Sequence, residues 1–217
     1  MNSSELIIES TTYMTKQPYL IIKRLFDIVV SATALIVLSP LFLVVAILVR
    51  IETKGKAIFT QDRIGQNGKL FKMYKFRSMV ENADEILYEI LGTDNDLAKE
   101  YRVHKKFQND PRITKVGNIL RRLSIDELPQ LLNVLKGEMS LIGNRPYLPR
   151  EINDMQPYYE QIVKTKPGIT GLWQTNGRSN TTFKTRCKME AEYSENINLI
   201  TDIKIFFKTF IVIFKGL

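Results

Sequence analysis

The chain has a single cysteine, Cys187, among 217 residues. That excludes an internal disulfide framework and suits a reducing, cytoplasmic setting, with the thiol itself incidental. Histidine is equally scarce: His104 stands alone in a polar stretch of helical composition, where a solvated side chain is expected rather than a metal ligand or a base. A small-residue cleavage pattern is lacking around the one long apolar run, which argues against a removed signal peptide. Acidic groups are in the minority, with 23 aspartates and glutamates against 31 lysines and arginines. The resulting charge of +8 and pI near 9.5 favour an anionic partner without choosing among nucleic acid, a phosphorylated substrate and an anionic membrane face. The length suits one domain plus an anchor, with enough apolar content for a core.

The anchor is the run from Leu25 to Val49, preceded by Lys23 and Arg24 and interrupted by one charge, Asp27. It is about as long as a membrane span requires. Lys23 and Arg24 flank one end and Arg50, Lys54 and Lys56 the other, a balance obeyed by keeping both ends cytoplasmic. Ser39-Pro40 lies near the middle. Pro40 removes a backbone hydrogen bond while Ser39 can bond back to the freed carbonyl, so a sharp bend is expected. Each arm would be about 14 to 20 Å long, too short to cross alone. A re-entrant hairpin over residues 23–51 follows, with a kinked spanning helix as the alternative left open. Residues 1–22 read as an N-terminal tail, since Met1 to Tyr19 shows no convincing period.

Residues 52–217 read as a helix-rich α+β catalytic domain with one small β-hairpin. Ala57 to Gln61 and Leu70 to Arg77 predict the two strands, and Gln66-Asn67-Gly68-Lys69 the turn. The hairpin is a basic ribbon carrying Arg63, Lys69, Lys72, Lys75 and Arg77. Glu81 to Leu91 and Asp94 to Phe107 predict surface helices, and Glu151 to Lys164 a polar helix. In Asn109-Asp110-Pro111-Arg112 the aspartate can cap the arginine locally. Lys166 to Gln174 predicts a shaped loop and strand, with Trp173 as a core or interface aromatic. The last segment, Asn196 to Leu217, sets Leu199, Ile203, Phe206, Phe207, Phe210 and Ile213 near one side, an amphipathic basic helix suited to the headgroup layer or to the core.

The chemistry concentrates in Ser124-Ile125-Asp126-Glu127-Leu128-Pro129-Gln130 and, beyond it, Gly143-Asn144-Arg145-Pro146. Leu128, Leu131, Leu132 and Leu135 share one helix face, Gly137 is a suitable terminator, and Pro129 places the helix start near Asp126. Ser124 and Glu127 match a capping box, which competes with a catalytic reading of the acids. Arg121, Arg122 and Arg145 favour catalysis, because a carboxylate attacking a phosphate needs cations to hold the anionic substrate.

The segment Ser124 to Pro146 resembles the signature of the bacterial sugar transferases, the monotopic phosphoglycosyltransferases that load a phosphosugar onto polyprenyl phosphate. The resemblance runs from about Lys23 to Phe210 and includes Lys75-Phe76-Arg77-Ser78-Met79 and Lys166 to Arg178. It departs at Asn144, where the family usually has proline, so a less rigid loop is expected. The resemblance implies that Asp126 attacks a UDP-sugar to form a covalent phosphosugar intermediate, expelling UMP. Undecaprenyl phosphate then accepts the phosphosugar, in the initiating step of surface-glycan assembly. It also implies that Glu127 and Asp126 hold Mg²⁺, and that Lys75, Arg77, Arg121, Arg145 and Arg178 contact phosphate. The implied setting is the cytoplasmic face of the bacterial inner membrane, with no nucleic acid partner and room for a homo-oligomer. Charge and spacing alone leave two rivals: a direct-displacement membrane phosphotransferase and a non-catalytic basic adaptor. The sugar itself is not legible.

Overall fold

The computed structural model describes residues 3–53, 55–93, 96–176 and 181–215, with side chains described from Pro18 to Val212. Helix α1 spans Ser3–Val37 and α2 spans Ser39–Thr53. The segment expected as a loose tail is therefore helical from Ser3. Once the apolar run has nucleated a helix, adding residues costs little, and Ser3 to Lys16 includes several good helix formers. The pair bends by 63° at the expected break. Pro40 cannot donate to the carbonyl four residues back, which belongs to Ile36, and Ser39 Oγ takes that acceptor at 2.8 Å.

Strands β1 (Ile58–Ile64) and β2 (Leu70–Phe76) form the expected antiparallel hairpin, with Ile58 opposite Phe76 and Ile64 opposite Leu70. Asn67 and Gly68 both take positive φ, as a tight hairpin turn demands. Alternation then sorts β2 into two faces. Phe71 and Met73 pack with Val134 and Met139 beneath the strand, whereas Phe76 packs with Val45 and Val49 of α2 and with Leu120.

Helices α3 (Ala83–Leu91), α4 (Asp96–His104) and α5 (Lys115–Arg122) follow. Thr114 caps α5 by accepting from the Gly117 amide at 2.9 Å. Helix α6 (Gln130–Lys136) comes next, ended as expected by Gly137 in the left-handed region at φ 83. Its Asn133 is fully buried and acts as a substitute strand: Oδ1 accepts from the Tyr74 amide at 3.0 Å and Nδ2 donates to the Lys72 carbonyl at 2.8 Å. That covers an exposed edge of β2 and fixes α6 against the hairpin.

A second, parallel two-stranded sheet joins β3 (Ser140–Ile142) to β4 (Gly168–Thr170). Between them, the polar helix expected over residues 151–164 is reduced to a 3₁₀ turn at Pro149–Glu151 and the short α7 (Tyr159–Ile162). Pro157 interrupts the helical pattern. After β4 the chain forms α8 (Leu172–Asn176) rather than further strand, then α9 (Phe183–Glu195) and α10 (Leu199–Lys215). The architecture is thus helix-rich α+β with small sheets.

The apolar arm is built into this body. Arg24 donates to the last-turn carbonyls of α6, at 2.5 Å to Val134 and 2.9 Å to Leu135, and Asp27 accepts from the Leu141 amide of β3 at 3.0 Å. At α10, Asp202 receives hydrogen bonds from Tyr19, Lys23 and Tyr193. The one charge in the apolar run is therefore a fastening between helix and sheet.

Candidate active site

The acid pair does not sit in a helical first turn. Ser124 takes a left-handed conformation at φ 57, Ile125 to Glu127 form a single 3₁₀ turn, and α6 begins only at Gln130. Ser124 makes no side-chain cap, so the capping box does not form. Pro129 stands at the N-cap position, one residue outside the helix rather than in its first turn.

Lys75 follows Phe71 and Met73 on the same strand face, and its ammonium meets Glu127 Oε1 at 2.7 Å. Asp126 is only 6 % exposed. Burial raises its pKa above the ordinary carboxylate range and adjacent Glu127 raises it further, against the opposing pull of Lys75 and Arg121. Burial acts on Glu127 in the same direction, but Lys75, bonded to it, and then Arg145 and Arg63 outweigh it and hold Glu127 low. The two carboxylates thus differ in character: Glu127 is held as an anion, and Asp126 is the more basic of the two.

Arg121 is anchored through Nε to Ser78 Oγ at 2.9 Å, within electrostatic reach of Asp126. Arg145 has its backbone amide held at 3.0 Å by both oxygens of Glu190, while its guanidinium lies over Trp173 with 5.8 Å to the ring centroid. Arg77 points elsewhere: it donates to the Lys56 carbonyl at 2.9 Å and covers the Phe59 ring. Asp110 is bonded by Arg112 Nε at 2.8 Å, the local cap expected of it. Arg178 lies outside the described residues.

Three participants escaped the sequence. Arg63, placed above in a basic ribbon, is buried; it donates to the Pro146 carbonyl at 2.9 Å and lines the cleft beside Lys75, Glu127 and Arg145. The alternation of β1 next to Arg145-Pro146 was its only signal. Glu190 and Gln174 carry none, being single residues in ordinary helical sequence. Asn144 also corrects an expectation, because the loop is firmly held. Its Nδ2 donates to the Ile162 carbonyl at 3.1 Å, Thr165 Oγ1 at 3.1 Å and Ser194 Oγ at 2.5 Å. Three bonds replace the rigidity a proline ring would supply. His104, expected to be solvated, is half-buried, with Nδ1 enclosed. Cys187 is buried, and burial pushes its thiol up to about 12, consistent with an inert role.

Among the described residues no three His, Cys, Asp or Glu side chains converge as a metal cage. A pair of adjacent carboxylates nevertheless fits Mg²⁺, which takes one or two carboxylates and completes its shell with phosphate oxygens and water.

The family model described as "Bacterial sugar transferase" matches residues 18–216. The chain belongs to the bacterial sugar transferase family. Among relatives of this sugar transferase, "Exopolysaccharide production protein ExoY" of Sinorhizobium fredii is 44 % identical over 86 % of this chain and 83 % of its own length. "Undecaprenyl-phosphate galactose phosphotransferase" of Salmonella typhimurium is 44 % identical over 93 % of this chain, but only 42 % of its own length is matched. "UDP-glucose:undecaprenyl-phosphate glucose-1-phosphate transferase" of Escherichia coli is 38 % identical over 90 % of this chain and 40 % of itself. The sugar transferase therefore spans most of the first protein and less than half of the other two.

Glu190, which positions Arg145, gives the enzyme a stability that depends on pH. Burial raises its carboxyl from 4.5 to about 8, although the Arg145 amide and charge oppose the shift. The folded chain then binds a proton that the unfolded chain has released across that interval, so stability should fall as pH rises from 4.5 towards 8. Glu190→Gln should flatten this slope and stabilise the protein at the alkaline end by a few kcal/mol, read from urea unfolding across the range.

Proposed function

We propose that this enzyme transfers a sugar 1-phosphate from a UDP-sugar to polyprenyl phosphate, releasing UMP, at the start of bacterial surface-polysaccharide assembly. The carrying observation is the buried Asp126 next to a Glu127 kept anionic by Lys75, bordered by Arg63, Arg121 and Arg145. The printed activities of the Salmonella and Escherichia relatives supply the substrate class.

A carboxylate oxygen of Asp126 attacks the β-phosphorus. That bond forms as the bond from β-phosphorus to the bridging oxygen breaks, and the electron pair leaves on UMP. The acyl phosphate so formed carries the sugar. A phosphate oxygen of the polyprenyl carrier then attacks the same phosphorus, restoring the Asp126 carboxylate and giving polyprenyl diphosphosugar. Dividing the transfer lets one small cleft serve two dissimilar substrates in turn. Lys75, Arg63 and Arg145 neutralise and orient the diphosphate on the cleft side, and Arg121 does so beside Asp126. Mg²⁺ on Glu127 and Asp126 would, when bound, add charge neutralisation at the diphosphate. Enzyme quenched during turnover of UDP-sugar should carry the added mass of a phosphosugar on the peptide containing Asp126. An unmodified peptide during rapid UMP release would overturn this route.

The bent pair α1 and α2 is proposed as a re-entrant anchor. No single helix among the described residues is long and apolar enough to cross a membrane. Ile36 and Val37 at the bend are 74 % and 68 % exposed, and Leu25, Val29, Leu43 and Ile47 are also open. Ile203, Phe207, Phe210 and Ile211 of α10 are exposed too, and Phe206 of the same helix lies edge-on to Phe26 of α1. Such a surface calls for lipid rather than water. Cysteines introduced at Gln17 and Lys56 should be labelled by an impermeant maleimide from one face of sealed inverted vesicles. Labelling from opposite faces would establish a spanning helix instead.

A further inference from the structure

The cleft beside the acid pair contains an acceptor that no described residue satisfies. Gln174 of α8 lines it together with Arg63, Lys75, Glu127, Gln130 and Arg145. Its amide is fixed in orientation, because Nε2 donates to the Ile169 carbonyl at 3.0 Å and the reverse would set two acceptors face to face. Oε1 is therefore the free end, and it is buried without a donor among the described residues. Burying an acceptor unpaired is costly unless a ligand completes it.

The surroundings define what that ligand offers. The Gly143 carbonyl, two residues before Arg145, packs close beside Gly171: a Cβ there would lie 2.2 Å from that oxygen and 3.2 Å from Oε1. Arg63 donates through its two terminal nitrogens to Pro146 and Gln61, and Lys75 donates to Glu127; Arg63 Nε is itself without a partner among the described residues, and none of these donors meets Oε1. Phosphate oxygens only accept, and they match the cations rather than Oε1. The groups nearest a diphosphate that can donate are the hydroxyls of the two sugars attached to it.

We propose that Gln174 Oε1 accepts a hydrogen bond from a hydroxyl of the bound nucleotide sugar, making Gln174 a specificity-determining residue. This rests on the UDP-sugar reading above. The hydroxyl can come from the transferred hexose or from the ribose, and deoxy analogues separate the two.

The test measures kcat/KM for UMP release by the full-length enzyme with polyprenyl phosphate and Mg²⁺. Donors are a UDP-hexose and analogues lacking one hydroxyl at a time, on the hexose or on the ribose. With wild type, one analogue should lose about ten- to a hundredfold. With Gln174→Met that same analogue should lose nothing further relative to the parent donor, while penalties for the others persist. Gln174→Asn, which withdraws the acceptor by one methylene, should behave likewise and serves if the methionine variant folds poorly. Penalties that multiply with the substitution for every analogue overturn the assignment to Gln174 alone, whereas failure of wild type to use any UDP-sugar overturns the functional reading beneath it.

Discussion

Asp126→Asn should retain the fold and lose phosphosugar transfer by about three orders of magnitude or more. The amide has nearly the same shape but no anionic oxygen to form the bond to phosphorus. Little else should change. Lys75 keeps its 2.7 Å contact with Glu127, and Arg121 keeps its anchor on Ser78. Burial already disfavours the charged form of Asp126, so removing the charge should leave thermal stability equal or higher. UMP release, intact-protein mass spectrometry and a melting curve together check the outcome. Near-normal turnover in this variant would move the nucleophile elsewhere.

Gly168→Ala should destabilise the catalytic body by about 3 kcal/mol or more. A Cβ at this position would lie 2.1 Å from the Gly143 amide nitrogen and 2.6 Å from the Gly143 Cα. Those are backbone atoms of the segment just beyond the neighbouring parallel strand β3, so no rotamer change relieves the clash. The two chains would have to separate, taking with them the segment that leads to Arg145. Gly92→Ala offers the contrast: its Cβ would meet nothing closer than 3.4 Å in a helical conformation, and stability should hold or improve. Thermal melts of the two variants beside the parent decide the matter.

What the sequence made legible was mostly local. The break at Ser39-Pro40, the Asn67-Gly68 turn and the end of α6 at Gly137 each follow from the conformational limits of one or two residues. Lys75 and Asp126-Glu127 were findable as types, and the strand alternation that joins them was in the pattern. The illegible parts depend on distant partners. Nothing near Glu190 says that its carboxylate holds the Arg145 amide 45 positions away, and nothing near Asn144 says that Ser194 and Thr165 will secure it. The capping-box pattern misled for a related reason: Ser124 adopts a left-handed conformation that local preference disfavours, where the chain turns from α5 towards α6. The early part of α1 was missed because a continuous helix can carry unpatterned sequence beyond its apolar stretch.

The fastenings of Arg24 to α6 and of Asp27 to β3 tie the first arm directly to the catalytic body. On the proposed route, the carboxylate that reacts is thereby set at a constant height relative to the apolar helices, like a tool bolted to its bench. With the bent pair seated in a membrane as proposed, a long isoprenoid would not need to be pulled out whole to react: its phosphate alone would have to rise to that level, with the tail left in the oil below.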